Sequence, residues 1–236
     1  MEDNIDQIVF NQLNDIISPN KQVLFDRIAS ERTRHLTLVL ENIHQEHNAS
    51  AVLRTCDCFG IQDLHVIEKN NTYKVQRDIA LGAGRWVDMH IYDEPENPTL
   101  QCLTKLKAEG YTIVATTPHT EQFSPENIDL SKPIALVFGT EREGISETVR
   151  ANADAFLAIP MYGFTESFNI SVCAAMLIHT LRMRMEKELT NWKLSESEAL
   201  KVKIEWSKKI IHLGVQLENR LRTEALLKQS EINLIK

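Results

Sequence analysis

The sequence lacks the features that mark membrane, secreted and fibrous proteins. Its 236 residues contain no apolar run near the roughly 18 residues of a membrane span. The first residues, MEDNIDQIVFNQ, are acidic, unlike the basic start of a signal peptide. The few cysteines are too irregularly spaced for a disulfide framework: Cys56, Cys58, Cys102 and Cys173. We therefore expect a cytoplasmic protein without a membrane segment.

Several common catalytic motifs are also missing. The sequence contains no GxxxxGK[ST] phosphate loop and no GxGxxG after its first predicted strand, which argues against a P-loop or Rossmann nucleotide site. It has neither HExxH nor GxSxG. Cys56 and Cys58 lack metal-ligand spacing and have no second pair, so we interpret both as packing residues of a helix. We expect no metal.

The charge is unevenly distributed. With 43% hydrophobic and 25% charged residues, the composition is that of a globular protein. The net charge is −7, but residues 181–236 hold 12 lysines and arginines against 8 glutamates. The remaining 180 residues hold 14 basic against 25 acidic side chains. An acidic body with a basic end still permits local binding of a polyanion, because salt screens each patch over about 10 Å.

The spacing of apolar residues predicts helices at both ends of the chain. Residues 4–17 form a predicted helix with inward positions Ile5, Ile8, Val9, Leu13 and Ile16. A second helix over 20–34 places Val23, Leu24 and Ile28 inward and three arginines outward: Arg27, Arg32 and Arg34. A third helix over 200–221 mixes apolar positions with lysines.

The middle of the chain alternates between strands and helices. Strands are predicted at 36–41, 63–68, 111–117, 133–139 and 155–160, and helices at 48–59, 100–109, 146–153 and 169–188. This alternation predicts an α/β fold, a parallel sheet with helices on both faces. Ligands of such sheets bind beyond the carboxyl ends of the strands. The predicted parts are an N-terminal helical extension (1–35), the α/β domain (36–188) and a C-terminal helical extension (189–236).

Three loops carry candidate functional residues. In residues 47–60, Asn48 is placed as a helix N-cap and Arg54 lies in the second turn. In 135–146, Gly139 and Gly144 bracket Glu141. In 159–176, Ser167 and Asn169 precede the long helix. Each loop by itself also fits an ordinary turn or helix cap, so the residues alone do not identify a reaction.

Taken together, the three loops resemble a known family. The patterns NxSAxxRTxDxFG, LVFGTExEG and IPMxGxxxSxNxSVxAA, in this order, are similar to the three motifs of the SpoU (TrmH-type) ribose 2′-O-methyltransferases. The short helical ends resemble the members that act on tRNA guanosine more than those that act on ribosomal RNA.

This resemblance implies a fold and a cofactor. Members have a deep C-terminal trefoil knot, use S-adenosylmethionine and act as homodimers whose active sites form at the interface. By motif match the cofactor is lined by Thr116, Gly139, Ile159, Met161 and Phe168. The family usually has Leu at the position of Phe168; both side chains are apolar and can pack on adenine.

The resemblance also implies a reaction and roles. The expected reaction is 2′-O-methylation of a tRNA, at guanosine 18 of the D-loop; the alternatives are ribosomal RNA methylation and a non-catalytic RNA-binding protein. Arg54 acts either as a base poised by a substrate phosphate or as a cation that clamps that phosphate. Asn48 positions Arg54 or the ribose, and Glu141, Ser167 and Asn169 organise the other two loops.

The basic ends are the expected tRNA-binding surface. Its candidates are Arg27, Arg32 and Arg34 near the N-terminus and Lys201, Lys203, Lys208 and Lys209 near the C-terminus. A rival interpretation is that these lysines only solvate a packed helix, since the same segment carries Ile204, Trp206, Ile210 and Ile211.

Overall fold

The computed structural model describes residues 2–68, 73, 75–94, 96–118 and 122–235. The chain forms two compact units, one of residues 33–192 and one that combines residues 1–32 with 193–236. The helical ends, which the sequence predicted as two extensions, thus belong to a single unit. No helix among the described residues is both long enough and apolar enough to cross a membrane.

The unit of residues 33–192 is built on a parallel sheet, as predicted. Its strands are β1 (Leu36–Glu41), β2 (Asp63–Ile67), β3 (Asp88–Tyr92), β4 (Thr112–Thr116), β5 (Ile134–Phe138) and β6 (Ala155–Leu157). They lie in the order β3-β2-β1-β5-β4-β6. Because every pairing is parallel, the carboxyl ends of β1, β4, β5 and β6 meet at one edge of the sheet. Strand β3 was not predicted.

Helices cover both faces of this sheet. They are α3 (Glu46–Cys58), α4 (Arg77–Ala80), a 3₁₀ turn (Ala83–Arg85), α5 (Pro98–Ala108), α6 (Glu147–Asn152) and α7 (Ile170–Glu188). Leu38 and Leu40 of β1 share a core with Leu53 of α3 and Leu177 of α7. Val39, on the opposite face of the strand, shares a second core with α5 and α6. All six residues of β1 are buried, which explains why the strand is apolar except at Thr37 and the terminal Glu41.

The other unit is a helical assembly of α1 (Glu2–Asn14), α2 (Pro19–Ala29), α8 (Glu196–Ile210) and α9 (Gly214–Ile235). Its core contains Ile5, Val9, Phe10, Leu13, Ile204, Leu221 and Ala225. Two predicted inward positions are wrong: Ile8 is 38% and Ile16 58% exposed. The predicted continuous helix over 200–221 is two helices, because Leu213 adopts a positive φ of 54° and Gly214 begins α9.

Helix α2 differs from its prediction in a way that matters for function. It ends at Ala29 rather than residue 34, and its buried residues are Phe25 and Ala29, while Val23 is 70% exposed. Beyond the helix end, Arg32 is 1% exposed and its guanidinium lies 5.2 Å from the centre of the Trp206 ring. The prediction that Arg32 points outward and binds phosphate is therefore wrong, because its guanidinium is buried against the indole ring and cannot reach RNA.

A buried histidine on the sheet predicts a pH-dependent stability. His65 of β2 stacks on His90 at 4.6 Å between ring centres, and burial, with the neighbouring His90, lowers its pKa to about 3. In the unfolded chain this pKa is about 6.5. Below pH 6.5 the His65 side chain is therefore protonated in the unfolded state but stays neutral in the folded state. As the pH falls towards 3, the free energy of unfolding decreases by at most about 1.4 kcal/mol per pH unit.

Urea denaturation at several pH values between 7 and 4 tests this prediction. His65→Gln is expected to flatten the pH dependence, whereas replacing the exposed His212 by Gln leaves it unchanged. Equal pH slopes in His65→Gln and the wild type would contradict the assignment.

Candidate active site

A cavity of about 480 Å³ opens at the carboxyl ends of β4, β5 and β6. This volume lies in the range of small-molecule sites. All five residues that the motifs assigned to the cofactor line it: Thr116, Gly139, Ile159, Met161 and Phe168. Glu141, Ser167 and Asn169 line the same cavity. The structure thus brings together residues that lie up to 53 positions apart in the sequence.

The loop after β5 forms one wall of the cavity. Thr140 and Gly144 exchange both backbone hydrogen bonds, at 2.9 and 3.0 Å, which closes a tight turn. Gly144 has a positive φ of 69°. A Cβ on Gly139 would lie 2.1 Å from the carbonyl carbon and oxygen of Gly144, so only glycine fits there.

A buried carboxylate anchors the end of this loop. Glu41, the last residue of β1, is 5% exposed and accepts hydrogen bonds from Ser146 Oγ (2.7 Å), Ser146 N (3.0 Å) and Thr99 Oγ1 (2.8 Å). Ser146 is also the N-cap of α6. The sequence analysis missed Glu41; its signal was a charged residue at the end of an otherwise apolar strand.

Asn48 connects all three motif loops. Its Nδ2 donates to Glu141 Oε1 at 2.9 Å, and its Oδ1 accepts from Asn169 Nδ2 at 3.1 Å. The second amide proton goes to Gln45 Oε1 at 2.9 Å. Asn48 is 4% exposed, whereas Gln45, Glu141 and Asn169 are exposed, so one buried amide holds three surface residues in a fixed relation.

Two predicted helix caps have different outcomes. Asn169 is the N-cap of α7, and its Oδ1 accepts from the backbone N–H of Ser171 at 2.9 Å. Asn48 is not a cap, because α3 begins at Glu46 and its N-cap is Gln45. The earlier start places Asn48 inside the first turn, where its amide is directed to the other two loops.

Arg54 lies away from this network. It is exposed and does not line the cavity of its own chain. It lies six positions after Asn48, which places the two side chains about 120° apart around α3. Asn48 is therefore bonded to Glu141 and Asn169 rather than to Arg54. On the same helix Cys56 is buried as predicted, but Cys58 is exposed, so its assignment as a packing residue is wrong.

The cavity is lined by both apolar and polar side chains. Leu157, Ile159, Phe168 and Leu177 supply apolar surface, and Glu141, Ser167 and Asn169 supply the polar groups. This set fits a nucleoside-like ligand that has an aromatic base and a polar tail. No cluster of three or more metal-ligating side chains occurs among the residues that the structure describes.

The predicted RNA-binding cations occupy different environments. Arg27, Lys201 and Lys209 are exposed. Arg34 pairs with Asp63 at 2.7 Å and Asp88 at 3.2 Å. Within the helical unit, Lys203 pairs with Asp26 at 2.8 Å, and Lys208 pairs with Glu205 and with Glu218 at 2.8 Å. Arg34, Lys203 and Lys208 thus already have carboxylate partners.

A family model and a curated relative both relate this chain to the SpoU methylases. The model of the SpoU rRNA methylase family matches residues 35–179. The tRNA (guanosine(18)-2′-O)-methyltransferase of Borreliella burgdorferi is 35% identical over 211 residues, which cover 89% of this chain and 95% of that protein.

Solved structures agree with this likeness. The Aquifex aeolicus TrmH/SpoU tRNA modifying enzyme superposes with a TM-score of 0.72 at 30% identity, covering 82% of this chain and 98% of that one. The SpoU methyltransferase AviRb of Streptomyces viridochromogenes, solved in complex with AdoMet, has a TM-score of 0.55 at 20% identity and covers 70% of this chain and 62% of that one. At that identity the second likeness concerns the fold alone.

Proposed function

This chain belongs to the SpoU methylase family, and on that premise we propose that it transfers a methyl group from S-adenosylmethionine to the 2′-hydroxyl of a tRNA guanosine. The relative from Borreliella burgdorferi supports position 18 as the target. The observation that carries the proposal is the single cavity that collects every motif-matched cofactor residue together with Glu141, Ser167 and Asn169.

The cavity residues fit the proposed cofactor. Ile159 and Phe168 would hold the adenine, and the closed turn at Gly139 would lie against the rest of the molecule. When bound, S-adenosylmethionine supplies a methyl group on a sulfonium, which is already an electrophile. The chain must then position the ribose hydroxyl and stabilise the oxygen as its proton leaves.

Arg54 is best suited to electrostatic stabilisation. Its guanidinium is an exposed cation that donates hydrogen bonds and has no acceptor atom. A planar cation binds a phosphate through two hydrogen bonds and stabilises a developing alkoxide. In the alternative, Arg54 acts as the base after a substrate phosphate has poised it. In either case, the hydrogen bonds of Asn48 to Glu141 and Asn169 fix the positions of the three motif loops relative to one another.

We further propose that the active protein is a homodimer. Arg54 does not line the cavity of its own chain, so a second copy would have to supply it. The outer side of α7 presents Val172, Met176 and Met183, which are 48%, 39% and 45% exposed, and the preceding loop presents Tyr162 and Phe164. A partner copy would cover this apolar surface. The trefoil knot and the cytoplasmic location are proposed from family membership in the same way.

Methyl transfer to purified RNA tests the proposed function. The wild-type protein, labelled S-adenosylmethionine and unmodified tRNA are expected to give labelled tRNA, with the methyl group on guanosine 18 after nuclease mapping. Ribosomal RNA is the comparison substrate, because the matched family is described by rRNA methylation. Label in ribosomal RNA alone would overturn the tRNA assignment, and label in neither RNA would favour a non-catalytic binding protein.

The lysines of α8 allow a matched test of the tRNA-binding surface. Lys201 and Lys209 are exposed, whereas Lys208 is held by Glu205 and Glu218. Burial by itself lowers the Lys208 pKa, but the two glutamates outweigh it and raise the pKa. We expect Lys201→Gln/Lys209→Gln to lower the slope of log affinity against log salt by about two.

Two less exposed lysines of the same helix provide the control. Lys203→Gln/Lys208→Gln is expected to lower the free energy of unfolding by about 1 kcal/mol, because the exposed Asp26 loses Lys203 and the buried Glu218 loses Lys208 but keeps Arg222. Filter binding at several salt concentrations and urea denaturation separate the two effects. An unchanged salt slope in the first variant would assign Lys201 and Lys209 to solvation of the helix.

A further inference from the structure

The turn between α4 and the 3₁₀ turn exposes an apolar side chain on a constrained backbone. Leu81 is 65% exposed and has φ 47° and ψ 35°, in the left-handed region that disfavours residues with a Cβ. Gly82 follows with φ 87°. An exposed leucine in the left-handed region gains no stability from burial and has a strained backbone. Folding stability therefore does not explain a leucine at this position.

The residues on either side hold this turn in place. Ala80 and Ala83 are each 2% exposed and belong to the core beneath the sheet face. The backbone N–H of Gln76 donates to Ser50 Oγ at 2.9 Å, and Gln62 Nε2 donates to the carbonyl of Trp86 at 3.0 Å. The turn is anchored before and after Leu81, so the leucine is presented from a fixed base.

The anchored turn lies on the side of α3 that carries Arg54. Gln76 contacts Glu46 and Ser50 of that helix. A Cβ built on Gly84 would lie 3.6 Å from Cδ2 of the buried Leu53, so the 3₁₀ turn packs on the same helix. Arg54 follows Ser50 by four residues, which places it on the same side of the helix, one turn further on.

The surroundings of Leu81 suit a polyanion. Arg77 and Arg85 flank the leucine and are exposed, as is Arg54. Within the part of the chain that the structure describes, none of these three arginines has a hydrogen-bond or ion-pair partner. Asp78 is the one carboxylate in segment 76–86. Glu46 of α3, which contacts Gln76, adds a second carboxylate. Three arginines against these two carboxylates favour RNA phosphates over an acidic partner.

We propose that Leu81 is a wedge that enters the folded tRNA and holds its target loop open, while Arg77 and Arg85 bind the flanking phosphates. The proposal rests on the proposed function. A nucleotide in a folded loop is held by stacking and tertiary contacts, and it must be withdrawn before an enzyme reaches its reacting atom. Apolar side chains inserted between bases, with arginines on the adjacent backbone, are an established way to open nucleic acid structure.

The test compares folded with loosened tRNA. Leu81→Gly removes the wedge and suits the positive φ, so the variant is expected to fold at least as stably as the wild type. Leu213→Gly is the matched control, because Leu213 is also exposed, also left-handed (φ 54°) and also followed by a glycine. Single-turnover methyl transfer is measured on tRNA with magnesium and on tRNA depleted of magnesium, whose tertiary contacts are weakened.

The measured quantity is the ratio of the rate on folded tRNA to the rate on magnesium-depleted tRNA. Leu81→Gly is expected to lower this ratio about tenfold relative to wild type, or about 1.4 kcal/mol of activation free energy, and Leu213→Gly leaves it unchanged. An unchanged ratio in Leu81→Gly would overturn the wedge, whether or not both rates fall. If the wild type methylates neither form of tRNA, the proposed function fails, and the wedge fails with it.

Discussion

Arg54→Ala is expected to reduce methyl transfer to tRNA by about 100- to 1,000-fold, the usual loss when one group that stabilises a developing oxyanion is removed. Affinity for S-adenosylhomocysteine is expected to stay the same, because Arg54 is proposed to act on the substrate and every residue that lines the cavity is kept. Folding is expected to persist as well, since the side chain is exposed. Labelled-methyl assays, calorimetry and urea denaturation measure the three quantities.

A second substitution separates the two roles considered for Arg54. Arg54→Lys keeps the positive charge but loses the planar fork that binds a phosphate through two bonds. We expect it to remain strongly impaired if Arg54 is a clamp. Arg220→Ala, at an exposed arginine of α9, controls for loss of surface charge. Turnover above about a tenth of wild type in Arg54→Ala, a loss below roughly 1.4 kcal/mol, would remove Arg54 from the chemistry.

The sheet could be predicted because its signal is local. Strand β1 has the predicted bounds, since four of its six consecutive buried residues are leucine or valine. Helices α5 and α6 lie within a residue or two of their predicted bounds, because each has a clear end, such as Gly110 with its φ of 90°. Strand β3 was missed because Asp88 and His90 make polar contacts within the sheet and interrupt the apolar pattern.

The contacts within the site could not be predicted, because they join distant residues. Nothing in the local sequence shows that Asn48 bonds to Glu141, 93 residues away, or that Glu41 accepts from Ser146. Arg32 was misplaced for a related reason. An arginine in a polar stretch reads as exposed until the fold places Trp206 against it. Motif spacing located the cavity residues, but only the fold shows which of them touch.

Gly139→Ala is expected to weaken S-adenosylhomocysteine binding at least about tenfold, or 1.4 kcal/mol. The new Cβ would lie 2.1 Å from Gly144 and 2.3 Å from Ile145 N, and all of these are backbone atoms that cannot rotate away. The turn after β5 must shift, and Glu141 moves with it. Gly163→Ala is the control, because a Cβ there meets nothing within 4 Å although Gly163 precedes the same cavity wall. Calorimetry that finds equal affinity in Gly139→Ala and wild type would contradict the role of the turn.

Combining the Arg54→Ala and Gly139→Ala chains in one dimer tests whether each active site is built from both chains. Arg54→Ala keeps an intact cavity, and Gly139→Ala keeps an intact arginine. If a dimer joins the arginine of one chain to the cavity of the other, a mixed dimer contains one complete site out of two, so the purified mixed dimer is expected to have about half of wild-type activity. Co-expression with two different affinity tags provides the mixed species, and light scattering confirms that it is a dimer. A mixed dimer that is as inactive as its parents would show that Arg54 serves the cavity of its own chain, and it would overturn the shared site.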